Sequence, residues 1–390
     1  MKYLNRELGA VLARAARQFP AVVLTGPRRA GKTELLRHLL PDAQYVLLED
    51  PDVLSRVRAD PQGFLDALKK PVVLDEIQNA PELFAFVRSR IDARPRKPGQ
   101  WFLTGSQEAG LMHGVSESMA GRAAILQLLP LSARETPKVS VFRGGYPEAL
   151  ARPSAAQLWF ASYVQTYLER DVRAITAVRD LATFRRFLAL VAARHGQVLN
   201  KSDLAAPLGV SVPTIGQWIG ILEATGIVLL VPPFFENLGK RLVKSPKLYF
   251  SDSGLVCHLL GIETEAELRR SPFLGAIFEG FVATEIVKAQ IHRGRRRELY
   301  YFRDQQGLEV DFVVPAKQNT LELIEAKATH TPTPAMAKSL MRLRDAVAQH
   351  ASARTVRMTL VHQAARADAG ITSLGDGVHA ISWPAWLAAR

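Results

Sequence analysis

One octapeptide constrains this chain more than any other feature: Gly26-Pro27-Arg28-Arg29-Ala30-Gly31-Lys32-Thr33. A glycine, four residues, then Gly-Lys-Thr is the spacing of a loop that wraps phosphate groups. Ahead of it runs Ala21-Val22-Val23-Leu24-Thr25, apolar enough for a buried strand; Glu34 to Leu40 behind it has the pattern of a helix. Each residue type has a physical reason to be there. Gly26 and Gly31 let backbone amides turn inward and approach phosphate oxygens. The positive end of the following helix adds to that field. Lys32 carries a point charge to the outer phosphates, and the Thr33 hydroxyl is suited to Mg²⁺. The candidate contacts are Gly26, Pro27, Arg28, Arg29, Ala30, Gly31, Lys32, Thr33 and Glu34, with ATP and Mg²⁺ as the expected ligands.

The next 100 or so residues repeat one rhythm. A helical pattern covers residues 2–19, and further apolar strands are expected at 45–48, 71–74, 101–104 and 123–129, with helical stretches between them. Continuous apolar strands alternating with helices indicate a parallel sheet covered on both faces. Such sheets bind ligands beyond the carboxyl ends of their strands. Three of those ends carry suitable groups: the phosphate loop, Asp75-Glu76, and Ser106 with Thr104 nearby. Asp75 is placed to hold Mg²⁺, and Glu76 to polarise a water for in-line attack on the terminal phosphate. The competing readings are a solvated acidic turn for Asp75-Glu76 and a helix cap for Ser106 or Thr104.

The segments GPRRAGKT, VVLDEIQ (residues 72–78), FLTGSQ (102–107), ESMAGR (117–122) and FRGGYPEAL (142–150) together resemble the AAA-type ATPase domain that occurs with a C-terminal DUF4143 region. The resemblance implies that the three strand-end motifs are Walker A, Walker B and sensor 1. It further implies catalytic roles for Lys32, Glu76, Ser106 and Arg122, the last facing a nucleotide, whether its own or a neighbouring subunit's. Gln107 departs from the small polar residue more usual there. Arg143, ahead of Gly144-Gly145, is a second candidate arginine.

Past Pro153-Ser154 the pattern becomes helical. Residues 200–205 start a short helix, Leu208-Gly209-Val210 turns, Ser211 caps a helix over 212–225, and 227–231 reads as a strand. That order is a helix-turn-helix with a wing. Ile215, Ile219 and Leu222 are expected inward, with Thr214, Gln217 and Trp218 outward toward DNA. Lys240, Arg241, Lys244 and Lys247 in the wing suit phosphates. The same fold used only for packing is the alternative.

In the last third, Glu279 lies on a helix. Strands at 299–303 and 308–314 flank a Gln305-Gln306-Gly307 turn, and another spans 321–327. Side-chain alternation puts Glu309 with Asp311, and Glu325 with Lys327. A helix Glu, a strand Asp and Glu-x-Lys on the next strand make the constellation of PD-(D/E)xK nucleases. There carboxylates share Mg²⁺ and a lysine steadies developing phosphate charge. The DUF4143 resemblance implies the same restriction-endonuclease-like fold, with Glu279, Asp311, Glu325 and Lys327 as the site. A surface salt bridge between Glu325 and Lys327 is the plainer alternative.

The expected architecture is therefore α/β: an AAA-like P-loop parallel sheet in 1–152, a helical and winged-helix domain in 153–260, and a nuclease-like α/β domain in 261–390. A formal charge of +13 favours a polyanionic partner such as DNA. Cys257 stands alone, so no intramolecular disulfide is available. Neither a leader-like N-terminus nor an uninterrupted apolar run of spanning length is evident. The reading is a cytoplasmic ATP-hydrolysing protein with no membrane association. Homo-oligomers are allowed, and nucleotide state is coupled to DNA binding and a nuclease-like domain. The alternative is an ATP-dependent DNA-binding switch whose nuclease-like domain only docks. A small-molecule kinase is disfavoured, because no acceptor pocket explains the basic remainder.

Overall fold

The computed structural model describes residues 3–93, 97–105, 119–168, 181–234, 243–350, 354–363 and 371–390. It divides into two compact units, each taken on its own below. The first comprises 1–131 with 221–227 and 291–296, and the second the remainder. The expected divides after 152 and 260 both fall inside the second unit.

In the first unit five parallel strands form one sheet: β1 (Ala21–Thr25), β2 (Gln44–Leu47), β3 (Val72–Asp75), β4 (Trp101–Thr104) and β5 (Ala123–Gln127), in the order β2-β3-β4-β1-β5. β1 is buried along its whole length, as a central parallel strand must be. Because side chains alternate, each central strand feeds two cores. Ala21, Val23, Leu74 and Leu103 pack with the helices Pro51–Ala59 and Leu83–Asp92. Val22, Leu24, Val73 and Phe102 pack with the helices Leu8–Gln18 and Lys32–Leu39. A Leu74→Ala truncation in such a core costs about 2–5 kcal/mol.

The second unit carries two sheets. The smaller is antiparallel, ordered β6 (Gln197–Val198), β8 (Lys247–Phe250), β7 (Val228–Val231). Residues Lys201–Leu208 and Val212–Ala224 form a helix pair bent by 111°. Ser211 caps the second of these, its hydroxyl accepting the Thr214 N–H at 3.2 Å. The larger sheet has six strands in the order β13-β14-β12-β11-β10-β9, with β9 at Tyr300–Arg303, β10 at Glu309–Ala316, β11 at Thr320–Lys327, β12 at Thr355–His362, β13 at Thr372–Ser373 and β14 at Val378–Ser382. β11, β12 and β14 run parallel, and β9–β10–β11 form an antiparallel meander. The helix Leu274–Ile291 is buried over most of its length, which its apolar sequence requires. Among the described residues no single helix is long and apolar enough to cross a membrane.

Candidate functional site

The octapeptide leaves the end of β1 and turns directly into the helix Lys32–Leu39. Gly26 takes φ +140°, and a Cβ there would lie 2.0 Å from the Leu128 carbonyl oxygen, so no other residue fits. Gly31 is left-handed and opens the helix without a side-chain cap, leaving its first N–H groups turned to the loop. The Lys32 side chain is buried and folds back, its ammonium donating to the carbonyls of Gly26 at 3.0 Å and Pro27 at 3.1 Å. Glu34 is exposed on the first turn.

Asp75 ends β3 and is the point where the site converges. The Thr33 hydroxyl donates to its Oδ2 at 2.8 Å, the Tyr45 hydroxyl donates to the same oxygen, and Thr104 donates to Oδ1. Thr104 also accepts the Glu76 N–H at 3.3 Å, tying β4 to the residue after Asp75. Glu76 occupies the left-handed region, φ 59°, a strained position for a side chain with a Cβ. Its carboxylate accepts from the Gln78 amide and lies 3.8 Å from Arg28 Nη1, which also reaches Glu49 at 3.6 Å. Two residues absent from the sequence expectation complete the support. Tyr45 projects from β2, whose register sets Leu47 beside Asp75, so the long ring spans diagonally to the carboxylate. Partial burial and then the contact with Asp75 raise the pKa of its half-buried hydroxyl. Arg6, itself buried, donates to the carbonyls of Ala30 at 2.8 Å and Leu129 at 2.6 Å, clamping the loop from outside.

Other expectations are corrected. Arg122 does not reach the loop within its own chain. It precedes β5, which runs parallel to β1 from Ala21↔Ala123, so it sits at the amino edge of the sheet. The loop leaves the other edge, a strand length of about 13 Å away. Arg122 is instead gripped by Asp92 through two hydrogen bonds of 2.8 Å each. Ser106, Gln107, Glu117, Lys240 and Arg241 lie outside the described residues. Exposed Arg143 precedes a structural turn: Asp252 Oδ2 accepts the Gly145 N–H at 2.6 Å, and a Cβ on Gly144 would collide with that carboxylate.

Of the candidate DNA contacts, Gln217 and Lys244 are exposed and Thr214 is half-buried. Trp218 is not outward: it is 5% exposed and packs edge-on against Phe184 and Phe187. Lys247 is not in a wing but in β8, 2% exposed.

The four nuclease-like candidates do come together, all within the second unit. Glu279 Oε1 accepts from Lys247 at 2.9 Å and from Tyr249 at 2.6 Å. Lys247 also lies 2.6 Å from Glu309 and 3.8 Å from Asp311. Asp311 Oδ2 accepts the Ala326 N–H at 3.0 Å and lies 4.0 Å from Lys327, which pairs with Glu325 at 2.6 Å. A shift in the β9–β10 register between Val310 and Val313 adjoins Asp311, a local break of the kind that re-aims side chains. Burial, then the Asp311 charge, pushes the Glu279 carboxyl up to about 7 and Glu325 up to about 8. Burial alone would lower the Lys247 pKa, but Tyr249 and the surrounding carboxylates raise it well above the ordinary value. Among the described residues no group of three or more His, Cys, Asp or Glu side chains is placed to hold a metal ion.

Comparison with known proteins finds three family matches along the chain. Residues 18–136 match the model of an AAA domain, and 274–386 match the domain of unknown function DUF4143. Between them, 135–266 match a further domain of unknown function, DUF8612. Two uncharacterized proteins, from Mycobacterium tuberculosis and Mycobacterium bovis, are each 35% identical over 336 residues, covering 84% of this chain and 75% of theirs. Among solved structures, a Walker-type ATPase of Pyrococcus abyssi is similar at a TM-score of 0.43 and 16% identity, covering 66% of this chain and 96% of that one. The chain belongs to the family of those two mycobacterial proteins, with an AAA domain over residues 18–136 and a DUF4143 region over 274–386.

Proposed function

We propose that this chain binds Mg-ATP at the loop after β1 and hydrolyses it. The observation that carries the proposal is the convergence of Thr33, Tyr45 and Thr104 on Asp75, one residue before a strained Glu76 and beside the phosphate loop. Mg²⁺ fits the donor set: a hydroxyl and a carboxylate oxygen 2.8 Å apart, the kind of oxygen ligands this ion combines with waters and phosphate oxygens. Thr33 and Asp75 would hold the ion, and it would neutralise charge on the phosphates.

The chain's own residues do the rest. The Lys32 ammonium exchanges two backbone carbonyls for phosphate oxygens, a gain because its new partners are charged. The Glu76 carboxylate orients a water for in-line attack and accepts its proton. Thr104, fixed between Asp75 and the Glu76 N–H, keeps metal ligand and base in register. Replacing Glu76 with Gln leaves the loop intact, so ATP should still bind while turnover falls about 10²–10⁴-fold. Steady-state phosphate release alongside nucleotide binding checks this, and unchanged turnover would remove Glu76 from the role.

A second element of the reading is DNA contact by the bent helix pair and the small sheet. Exposed Gln217 and Lys244 and the net charge of +13 favour it. Nucleotide state would then bias how that module engages DNA.

A further inference from the structure

The carboxylate cluster of the second unit has the membership expected of a metal-dependent nuclease, yet its centre is not arranged for a metal. Glu279 comes from the helix Leu274–Ile291, Glu309 and Asp311 from β10, and Glu325 from β11. Into the space between the first three reaches an ammonium from β8, with oxygens of Glu279 at 2.9 Å, Glu309 at 2.6 Å and Asp311 at 3.8 Å. A hard divalent ion would need the same oxygens drawn in to about 2.0–2.6 Å. It would also need the ammonium gone, because two cations cannot share one oxygen cage at those distances. Lys247 has no easy exit. Every residue of β8 is buried, the strand is paired on both sides, and the side chain passes 5.6 Å from the Tyr301 ring. The far end of the cluster is closed in the same way, by Lys327 on Glu325 Oε1.

We propose that Lys247 is the resident cation of this cluster, filling the place among Glu279, Glu309 and Asp311 that a divalent metal would otherwise take. The second unit thereby closes its carboxylate constellation without a metal, and β8 is fastened to the six-stranded sheet by charge. One oxygen, Glu325 Oε2, is buried with no hydrogen-bond partner among the described residues. Removing the ammonium while keeping the carboxylates therefore creates a divalent-cation site. This inference stands apart from the ATP reading, since no residue of the phosphate loop enters it.

The test is Mn²⁺ titration of the full chain without nucleotide, followed by calorimetry and by the electron paramagnetic resonance of bound Mn²⁺. Wild type is expected to show no binding that depends on Asp311, and Lys247→Arg, which keeps the cation, behaves alike. Lys247→Met gains one Mn²⁺ per chain, and adding Asp311→Asn abolishes it. Lys247→Gln, which keeps length and polarity, gives the same answer should the Met variant fail to fold. Binding by wild type that Asp311→Asn removes would overturn the proposal, as would a folded Met or Gln variant that binds no Mn²⁺.

Discussion

Two buried lysines, Lys32 and Lys247, stand at the centres of the two candidate sites, and the side-chain hydrogen bonds and ion pairs described for them differ in kind. The first donates to the neutral carbonyls of Gly26 and Pro27. The second donates to carboxylates that arrive from a helix and from a strand of the six-stranded sheet. Exchanging a carbonyl for a phosphate oxygen costs the first lysine little and adds charge complementarity. Taking three carboxylates from the second leaves buried anions unpaired. A lysine ready for a ligand is thus one whose resting partners are weaker than the ligand. A lysine already facing full charges is architecture.

The comparison can be broken most decisively at Lys247. If its charge is structural, Lys247→Met should destabilise the second unit by about 3–5 kcal/mol, because three carboxylates lose their counter-ion. Denaturant unfolding measures this, and a near-neutral change would put Lys247 in the same class as Lys32. A smaller effect concerns protons. Glu279 and Glu325 rise from an ordinary 4.5 to about 7 and about 8 through burial and then the Asp311 charge. A carboxyl whose folded pKa is raised adds stability that is complete below the unfolded value and is lost as pH rises through the folded one. Melting temperature should therefore fall between about pH 5 and pH 8, and Glu325→Gln should flatten the slope. The smallest effect belongs to the first site. Tyr45→Phe removes one donor from Asp75 and should cost about 0.5–1.5 kcal/mol of stability. It should also lower the Mg²⁺ concentration at which nucleotide binding is half-maximal, since one competitor for Asp75 Oδ2 is gone.

The phosphate loop and Asp75 were legible because local rules suffice for them: a fixed spacing, an apolar strand before, a helix after. Their supports were not. Tyr45 is an ordinary strand tyrosine until β2 is laid beside β3, and Arg6 is an ordinary polar position of a leading helix until Ala30 and Leu129 come back to it. Trp218 was misread although the pattern was available. Residues 215, 218, 219 and 222 follow the i, i+3, i+4, i+7 stripe of a buried helix face, so the indole belongs with Ile215 and against Phe184. Lys247 could not be placed from its neighbours at all. A lysine in Ser-Pro-Lys-Leu-Tyr-Phe reads as solvated until Glu279 and Glu309, 32 and 62 residues onward by subtraction of their numbers, fold around it. The same dependence on distant partners explains the domain divides. Segments 221–227 and 291–296 join the first unit from far along the chain, and no linker composition announces that.

The central claim, that the lysine of the first unit exchanges carbonyl partners for a triphosphate, is tested most directly by calorimetric titration of the full chain with a non-hydrolysable ATP analogue and Mg²⁺. Wild type should give saturable single-site heat, weakened about a hundredfold or more by Lys32→Ala as charge-assisted contacts to phosphate are lost. Equal affinity in the two folded proteins, or no heat in wild type, would contradict it.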